Sequence, residues 1–349
     1  MDWTTGTQYV PLPAHRSKGG DMHLGLILVT IARITGPTAL LYAQVPASSP
    51  LESCFTESTF GVVYADLEKV PPEGWQRFRL LRAALQSFGA GACIPDPAAQ
   101  RAMARAGVRE LYVVLDFLDL DFKQMAAPVL VRAGEAQTLA IRRLFGSAYA
   151  AHRRGEWLLL AGPGALRRLQ ANTPVPRPEL IESLRASQGQ PLQIALAFPP
   201  YSARVFGELL PRLPGEAGEI QSRALIEGCR WVNISAGSEP EPHVLITVQG
   251  QSCASATALR AAWRRAVYAL VAIRYREDKA AGEQIARLLV PDQSGSRLTL
   301  KLRWGGLRYG ALYDLVVPLL LKFRRERLGD LPGRLPQHRR RASIRQEAR

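Results

Sequence analysis

Residues 107–117 read GVRELYVVLDF, and the first seven align with residues 228–234, GCRWVNI. The β-branched and aromatic residues after Gly107 are typical of a strand, and a glycine at that place is typical of a helix C-cap. Both stretches lead into an acidic loop, then a Pro-Val-Leu or Pro-x-Val-Leu sequence and an Ala-rich amphipathic helix. The alignment therefore predicts a tandem duplication of one α/β unit.

Around these two stretches, apolar periodicity predicts alternating strands and helices. In the first copy the predicted strands are 60–67, 108–117, 128–132 and 157–161, and the predicted helices are 75–88, 98–106, 135–145 and 165–170. In the second copy the strands are 192–198, 224–235, 242–249, 285–290 and 297–302, and the helices are 202–213 and 255–273. The order strand, helix, strand, strand, helix, strand is that of a split βαβ unit. The predicted fold class is therefore α+β, with two tandem split-βαβ-like repeats whose mostly antiparallel sheets carry helices on one face.

Length and composition agree with a folded protein of two domains of ordinary size or of one large domain. The chain has 349 residues and is 47% hydrophobic, which excludes wholesale disorder. Its 29 glycines and 4 cysteines exclude a collagen-like repeat and a disulfide-dense scaffold. The predicted parts are an export signal or membrane anchor at 1–47, a first α/β repeat at 55–170, a Pro-rich linker with a short helix (178–186) at 171–191, a second α/β repeat at 192–303, and an apolar segment with a basic, disordered tail at 304–349.

The N-terminal segment at 1–47 contains an apolar stretch at 24–42. It follows two basic residues and precedes small residues at 43–48, which is the pattern of a secretory signal. Arg33 and the Gly36-Pro37 pair interrupt the stretch, so an uncleaved membrane anchor and an internal buried helix are the alternatives. The predicted location is exported, periplasmic or membrane-associated, with a cytoplasmic location as the alternative.

Two phrases, ADLEKVP at 65–71 and GVRELYVVLDF at 107–117, resemble a group of uncharacterised exported proteins that occur in many copies in some GC-rich bacteria. Abundant Ala, Gly and Pro, with Arg as 39 of the 45 basic residues, fit such a genome. The resemblance covers about residues 60–300. It implies an exported location and tandem α/β repeats, and it carries over no catalytic residue.

The formal net charge of +15 is unevenly distributed along the chain. Residues 1–44 contribute +1, residues 45–321 contribute +7, and the tail at 322–349 contributes another +7. The body is therefore only mildly basic, and the sequence holds no specific nucleic-acid motif. The tail is a predicted contact to an anionic membrane surface or another anionic polymer, with a solvated tail as the alternative. Its candidate contact residues are Lys322, Arg324, Arg325, Arg327, Arg339, Arg340 and Arg341.

Asp116, Asp119 and Asp121 lie at the end of the clearest predicted strand. Three carboxylates at a strand end can ligate a hard divalent cation, which is the one candidate cofactor, or can act as acid–base groups. The residues between them are Phe and Leu rather than Gly and Asn, which excludes an EF-hand loop. The alternative is a solvated acidic loop, and the second copy has Glu239 and Glu241 at the equivalent place.

The four cysteines, Cys54, Cys93, Cys229 and Cys253, contain no C-x-x-C pair, which excludes a zinc ribbon or a thioredoxin-type motif. In an oxidising compartment, Cys54–Cys93 and Cys229–Cys253 disulfides would each close a loop within one copy. The alternative is four buried free thiols that pack as small apolar side chains.

Taken together, these features favour an exported, non-catalytic protein with a structural or binding role. The five histidines are scattered, and neither an HExxH nor a GxSxG motif occurs. One alternative is a metal-assisted hydrolase that uses the three aspartates. The other is a cytosolic protein that binds nucleic acid or an anionic membrane through the tail at 322–349.

Overall fold

The computed structural model describes residues 50–69, 97–119, 127–209, 226–237, 241–304 and 306–312. Within these residues, ten strands form one sheet in which every neighbouring pair is antiparallel. The order across the sheet is β4-β5-β3-β2-β1-β6-β7-β8-β10-β9. The strands are β1 (Thr59–Asp66), β2 (Glu110–Asp116), β3 (Val129–Arg132), β4 (Ala150–Arg154), β5 (Trp157–Ala161), β6 (Leu192–Leu196), β7 (Cys229–Gly237), β8 (His243–Gly250), β9 (Asp292–Ser294) and β10 (Arg297–Arg303).

Helices pack against this sheet, and four of them begin at a proline. Pro97, Pro163, Pro178 and Pro200 open their helices, where the fixed φ of proline fits and its missing N–H is not needed. Among the described helices, none is both long and apolar enough to span a membrane. The helices are α1 (Pro97–Arg105), α2 (Thr138–Phe145), α3 (Pro163–Ala171), α4 (Pro178–Ala186), α5 (Pro200–Leu209), α6 (Cys253–Arg274) and α7 (Lys279–Leu288).

The sheet consists of two halves with the same strand order. From the centre outward, the first half runs β1-β2-β3-β5-β4 and the second runs β6-β7-β8-β10-β9, and the halves join where β1 pairs with β6. The α+β class and the antiparallel sheet are confirmed. The pairing differs from a split βαβ unit, because β1 and β2 pair directly and antiparallel. The halves share one sheet instead of forming one each, and their origin by duplication stays a prediction.

Both faces of the sheet are buried near its centre, so the expectation of helices on one face is wrong. Val63 and Ala65 of β1 lie in one apolar core, and the alternate residues Val62 and Tyr64 lie in the other. The first core includes buried side chains of α2 and α6, and the second includes three from α4. A fully buried large apolar side chain contributes about 1.5–3 kcal/mol. The predicted linker at 171–191 therefore contributes to the core through α4.

Several predicted elements are confirmed, and one has the wrong type. The helix at 178–186 and the strand at 157–161 have the predicted bounds. Residues 285–290, predicted as a strand, belong mostly to helix α7, which buries Gly282 and Ala286 on one face. The sequence pattern does not predict β4 or β9, because both are polar strands at the edges of the sheet.

Some predicted features lie outside the described residues. Nothing in the structure bears on them, and they stay predictions. They are the segment at 1–47, the helix at 75–88, Asp121, Cys93, Glu239, and the tail residues Lys322, Arg324, Arg325, Arg327, Arg339, Arg340 and Arg341.

The described cysteines carry free thiols. Cys54 is buried, Cys229 is half-buried at the start of β7, and Cys253 is exposed at the start of α6. The predicted Cys229–Cys253 disulfide is therefore absent from this structure. Burial raises the pKa of Cys54 to about 11 and that of Cys229 to about 12, which keeps both as unreactive thiols at neutral pH.

Glu110 faces a like charge across the central strands. It pairs with Asp66 in the β1–β2 register, and burial together with the Asp66 charge raises the pKa of Glu110. Folding therefore disfavours the charged form of Glu110. The free energy of unfolding falls as the pH rises from the ordinary value of 4.5 through the raised pKa in the folded state.

We expect Glu110→Gln to stabilise the protein at neutral pH and to have no such effect at pH 3. Removal of one of two facing like charges corresponds to about 0.5 kcal/mol, or about 1–2 °C in melting temperature at pH 7. Differential scanning calorimetry at both pH values measures the difference. Glu156→Gln is the control, since Glu156 is exposed and pairs with Arg132 at 2.9 Å. A melting temperature lowered equally by both substitutions would contradict the like-charge explanation.

Candidate functional site

Three neighbouring central strands, β2, β1 and β6, have an end on the same side of the sheet, where their connecting segments meet. Thr59, the first residue of β1, pairs with Asp116, the last of β2, while Gly61 pairs with Leu196, the last of β6. Antiparallel pairing therefore brings together the loop before β1, the turn after β2 and the segment after β6. Functional residues in proteins lie disproportionately on loops held in this way by a rigid scaffold.

A hydrogen-bonded group that we call the Asp116 cluster (Thr56, Ser58, Thr59 and Asp116) occupies this edge. The buried carboxylate of Asp116 accepts hydrogen bonds from the hydroxyls of Thr56, Ser58 and Thr59, the last at 3.2 Å. The N–H of Leu118 donates to it at 2.9 Å, across the short 3₁₀ turn that follows β2. The hydroxyls of Thr56 and Ser58 therefore hold the loop before β1 against the end of β2, and the Leu118 N–H fixes the turn that follows.

Arg177 joins the two halves of the sheet beside this cluster. Its side chain is 5% exposed, and its guanidinium donates to the carbonyl of Thr59 and, at 2.8 Å, to that of Ala197. Its Nε atom lies 3.5 Å from Oε1 of Glu179. Burial lowers the pKa of Arg177, and the charge of Glu179 counteracts that effect. The planar guanidinium therefore bridges the ends of β1 and β6, which belong to different halves.

Five apolar or aromatic residues lie on the three segments that meet here, and we call them the apolar rim (Phe60, Phe117, Leu118, Phe198 and Tyr201). The rings of Phe60 and Phe117 stack with centroids 4.3 Å apart, and Tyr201 meets Phe117 edge-on at 6.5 Å. The N–H of Ala197, the residue before Phe198, donates to the Phe60 carbonyl at 2.9 Å. Leu118 is 66% exposed, Phe198 41% and Tyr201 45%.

Electrostatics couple the rim to the cluster beneath it. Partial burial, followed by the negative charge of Asp116, raises the pKa of Tyr201. Arg177 and a hydrogen bond with Ser58 oppose this shift. The phenol of Tyr201 is therefore protonated at neutral pH and offers a polar edge to an otherwise apolar surface.

The structure describes two of the three predicted metal ligands, so the predicted metal site stays a prediction. Asp116 uses its carboxylate oxygens for hydroxyl and N–H donors, and Asp119 follows in the 3₁₀ turn, while Asp121 lies outside the described residues. Within the described ranges, no group of three His, Cys, Asp or Glu side chains is placed to hold a metal ion. The histidines in those ranges, His152 on β4 and His243 on β8, belong to other strands of the sheet.

Apart from this site, an open groove of about 570 Å³ lies beside the β4–β5 hairpin. Its walls include Ser53, Arg154, Glu156 and several prolines. Arg154 donates to the hydroxyl of Ser53 at 2.5 Å, and Glu156 pairs with Arg132. Arg154 and Glu156 are therefore partnered within the protein, and none of the groove residues is among the large apolar side chains that the described residues expose.

Sequence patterns identify Asp116 but not the residues around it. Arg177 lies in the predicted linker and contacts a carbonyl 118 residues away, a separation that no local pattern reveals. Phe198 and Tyr201 flank a Pro-Pro pair that marks only the end of a strand. Comparison with protein-family models, curated proteins and solved structures finds no match for this chain.

Proposed function

We propose that this protein is an exported, non-catalytic binding protein that takes an apolar segment of another protein at the apolar rim. The observation that carries the proposal is the exposure of Leu118, Phe198 and Tyr201 on a rigid hydrogen-bonded support. Exposed apolar groups that lie together, with polar groups near them, are typical of protein interaction sites. Aromatic side chains in particular are enriched in such interfaces.

The support beneath the rim reduces the cost of binding. Four hydrogen bonds to Asp116 fix the turn that carries Phe117 and Leu118, and Arg177 fixes the segment that carries Phe198. A surface that is ordered before binding loses less conformational entropy when a partner docks. The rim therefore has the preorganisation that a binding site needs.

The same hydrogen bonds support a binding role over a catalytic one. A general base or a metal ligand needs a lone pair that can reach the substrate or the ion. The carboxylate of Asp116 is buried and accepts four hydrogen bonds. The alternative metal-assisted hydrolase therefore gains no support from this site. The exported location is proposed from the signal-like pattern at 24–48.

Selection from a displayed library of random heptapeptides tests the binding role. We expect peptides that contain two or more large apolar residues to be enriched on the full chain. Leu118→Ser/Tyr201→Ser should weaken the binding of a selected peptide at least tenfold, since each replaced side chain contributes over 1 kcal/mol at the centre of an interface. Fluorescence anisotropy of the labelled peptide measures the affinity.

The matched control is Leu139→Ser/Leu144→Ser on α2. Leu139 is 58% exposed and Leu144 is 42% exposed, so this pair resembles the rim residues in exposure and lies elsewhere on the protein. The control should bind the peptide as the wild type does. Equal binding by both double variants, or a library that yields no apolar consensus, would reject the rim as the binding site.

A further inference from the structure

Strand β4 is the outermost strand at one end of the sheet that the described residues form, where it pairs with β5 alone. The outermost strand at the other end, β9, has three residues, and its Asp292 and Gln293 contact Arg308 and Thr257. A short edge strand resists pairing with another chain, whereas a longer regular one is a template for it. Strand β4 has five residues, no proline and no bulge in its register with β5. The two ends of the sheet therefore differ, and β4 is the one where a further strand can pair.

The backbone groups that β4 leaves unpaired follow from its hairpin with β5. Arg154 flanks the two-residue turn at 155–156, so it exchanges hydrogen bonds with its partner on β5, and such pairs alternate along the strand. The N–H and C=O groups of Ala151 and Arg153 therefore point outward from the edge of the sheet. Within the described ranges, no residue hydrogen-bonds to these outward groups.

The charges on β4 do not protect this edge. Charged side chains on an edge strand discourage pairing when they extend into solvent beside its free backbone groups. The guanidinium of Arg153 donates instead to the Thr138 hydroxyl and the Ala133 carbonyl, both at 3.1 Å. Arg154 likewise donates to the hydroxyl of Ser53. Both arginines are therefore held against the protein itself, and two alanines and one histidine complete the strand.

The residues of β4 are complementary to β4 itself in one antiparallel register. When two copies of the strand pair about His152, Ala151 of each copy lies opposite Arg153 of the other. Their outward N–H groups, two from each copy, then all find a carbonyl. Arg154 lies opposite Ala150, so no arginine faces another. A pair centred on Arg153 would instead set like charges face to face, and one centred on Ala151 would leave Arg153 without a partner in β4.

We propose that this protein forms a twofold-symmetric dimer in which β4 pairs with β4 of a second copy. Each copy contributes the same strand, so the contact is closed and does not propagate into a fibre. A strand of an unrelated protein would gain the same backbone hydrogen bonds. The matching positions of arginine and alanine favour a second copy, because they avoid like charges only in this self-pairing register.

The proposed dimer contact is separate from the apolar rim. Three strands lie between β4 and β1, which puts the two about 19 Å apart at about 4.8 Å between neighbouring strands. Pairing at β4 would therefore leave both rims of the dimer free. Two rims on one dimer would raise the apparent affinity for a partner that carries two apolar segments. The contact itself does not involve the rim, so the two proposals fail or succeed independently.

Disulfide trapping of the full chain tests the register. A Cys253→Ser background removes the exposed native thiol and gives the baseline. His152 would face its own copy in a non-hydrogen-bonded pair, whose Cα atoms lie about 4.5 Å apart, within disulfide range. Under mild oxidation we expect His152→Cys to give at least tenfold more covalent dimer than Ala150→Cys. Ala150 is the matched control on the same face of β4, and its two copies would lie about 14 Å apart.

Sedimentation velocity measures the dimer without a covalent link. Ala151→Pro removes an outward N–H and keeps the β4–β5 hydrogen bonds, so we expect the dimer dissociation constant to rise about tenfold or more. Gln293→Pro is the matched control, because Gln293 is the middle residue of β9 and has its N–H outward by the same alternation. It should change the constant less than twofold. A thermal melt of each variant confirms that it is folded.

Three results would overturn the proposal. The first is a wild-type chain that sediments as a monomer at every concentration up to its solubility limit. The second is an equal yield of covalent dimer from His152→Cys and Ala150→Cys, which would mean random collision or another register. The third is a dimer that Ala151→Pro leaves intact, which would assign the contact to another surface of the protein.

Discussion

Arg177→Met is expected to lower the free energy of unfolding by about 3–5 kcal/mol. The substitution keeps an unbranched side chain and removes the guanidinium that donates to the carbonyls of Thr59 and Ala197. Those buried acceptors would lose a charged donor, and Glu179 would lose its ion-pair partner. Urea unfolding, followed by circular dichroism and by tryptophan fluorescence, measures the loss.

Two other substitutions separate the bridging role from the effect of a lost charge. Arg177→Lys keeps the positive charge but cannot present two N–H groups in one plane, so we expect it to recover about half of the loss. Arg230→Met removes an arginine that pairs with Glu182 at 2.7 Å, where both side chains are more than 40% exposed. This surface pair should be worth about 1 kcal/mol or less.

The comparison among these variants decides whether Arg177 joins the halves. If Arg177→Met costs no more than Arg230→Met, the buried guanidinium is not the link between β1 and β6. Full recovery by lysine would show that charge alone suffices. The first outcome would also remove one support of the apolar rim, because Ala197 precedes Phe198.

The buried strands are the part of the fold that sequence patterns predict best. Residues 157–161 are continuously apolar and 110–116 are rich in β-branched and aromatic residues, so their type is clear. Strand β4, Ala150–Arg154, has no such signal. It is an edge strand that pairs on one side only, and it carries polar side chains. A strand is therefore recognisable in the sequence when its side chains are buried, whereas its backbone hydrogen bonds leave no pattern of residue types.

Helix α7 shows how a short apolar run misleads. Residues 285–290 contain four large aliphatic side chains, which also fits a buried strand. The signal for a helix lies upstream, where Asp278 accepts from the N–H of Ala281 at 2.9 Å and caps the first turn. Gly282 and Ala286 have small side chains on the face of α7 that packs closely on α6. A Cβ on Gly282 would lie only 2.9 Å from Val271 of α6.

The candidate site was only partly predictable, since its members come from four separate segments. Asp116 is recognisable as a polar residue at the end of a strand, but its donors lie about 60 residues earlier in the chain. These donors meet Asp116 because β1 pairs with β2 in a particular register. Hydrophobic patterns predict both strands but not which strand pairs with which. Arg177 is harder still, because arginine supplies 39 of the 45 basic residues and no single one stands out.

Asp116→Ala is expected to lower the free energy of unfolding by about 3 kcal/mol, the second largest effect among these variants. The hydroxyls of Thr56 and Ser58 and the N–H of Leu118 would lose a charged acceptor inside the protein. Asp116→Asn keeps one carbonyl oxygen and places an amide donor among other donors, so its loss should be intermediate. The turn that carries Leu118 would loosen, and a peptide selected on the rim should bind more weakly to both variants.

Asp278→Ala is the reference for this prediction. It removes an exposed N-cap and should lower the free energy of unfolding by about 1 kcal/mol. A loss at Asp116 no larger than that would mean that the buried hydrogen bonds contribute little. Added Mg²⁺ or Ca²⁺ at millimolar concentration distinguishes the two interpretations of this carboxylate. If it serves as a structural acceptor, the melting temperatures of wild type and Asp116→Asn should respond equally to the ions. Stabilisation of the wild type alone would instead assign Asp116 to a cation site, since a ligand that binds the folded state raises its stability.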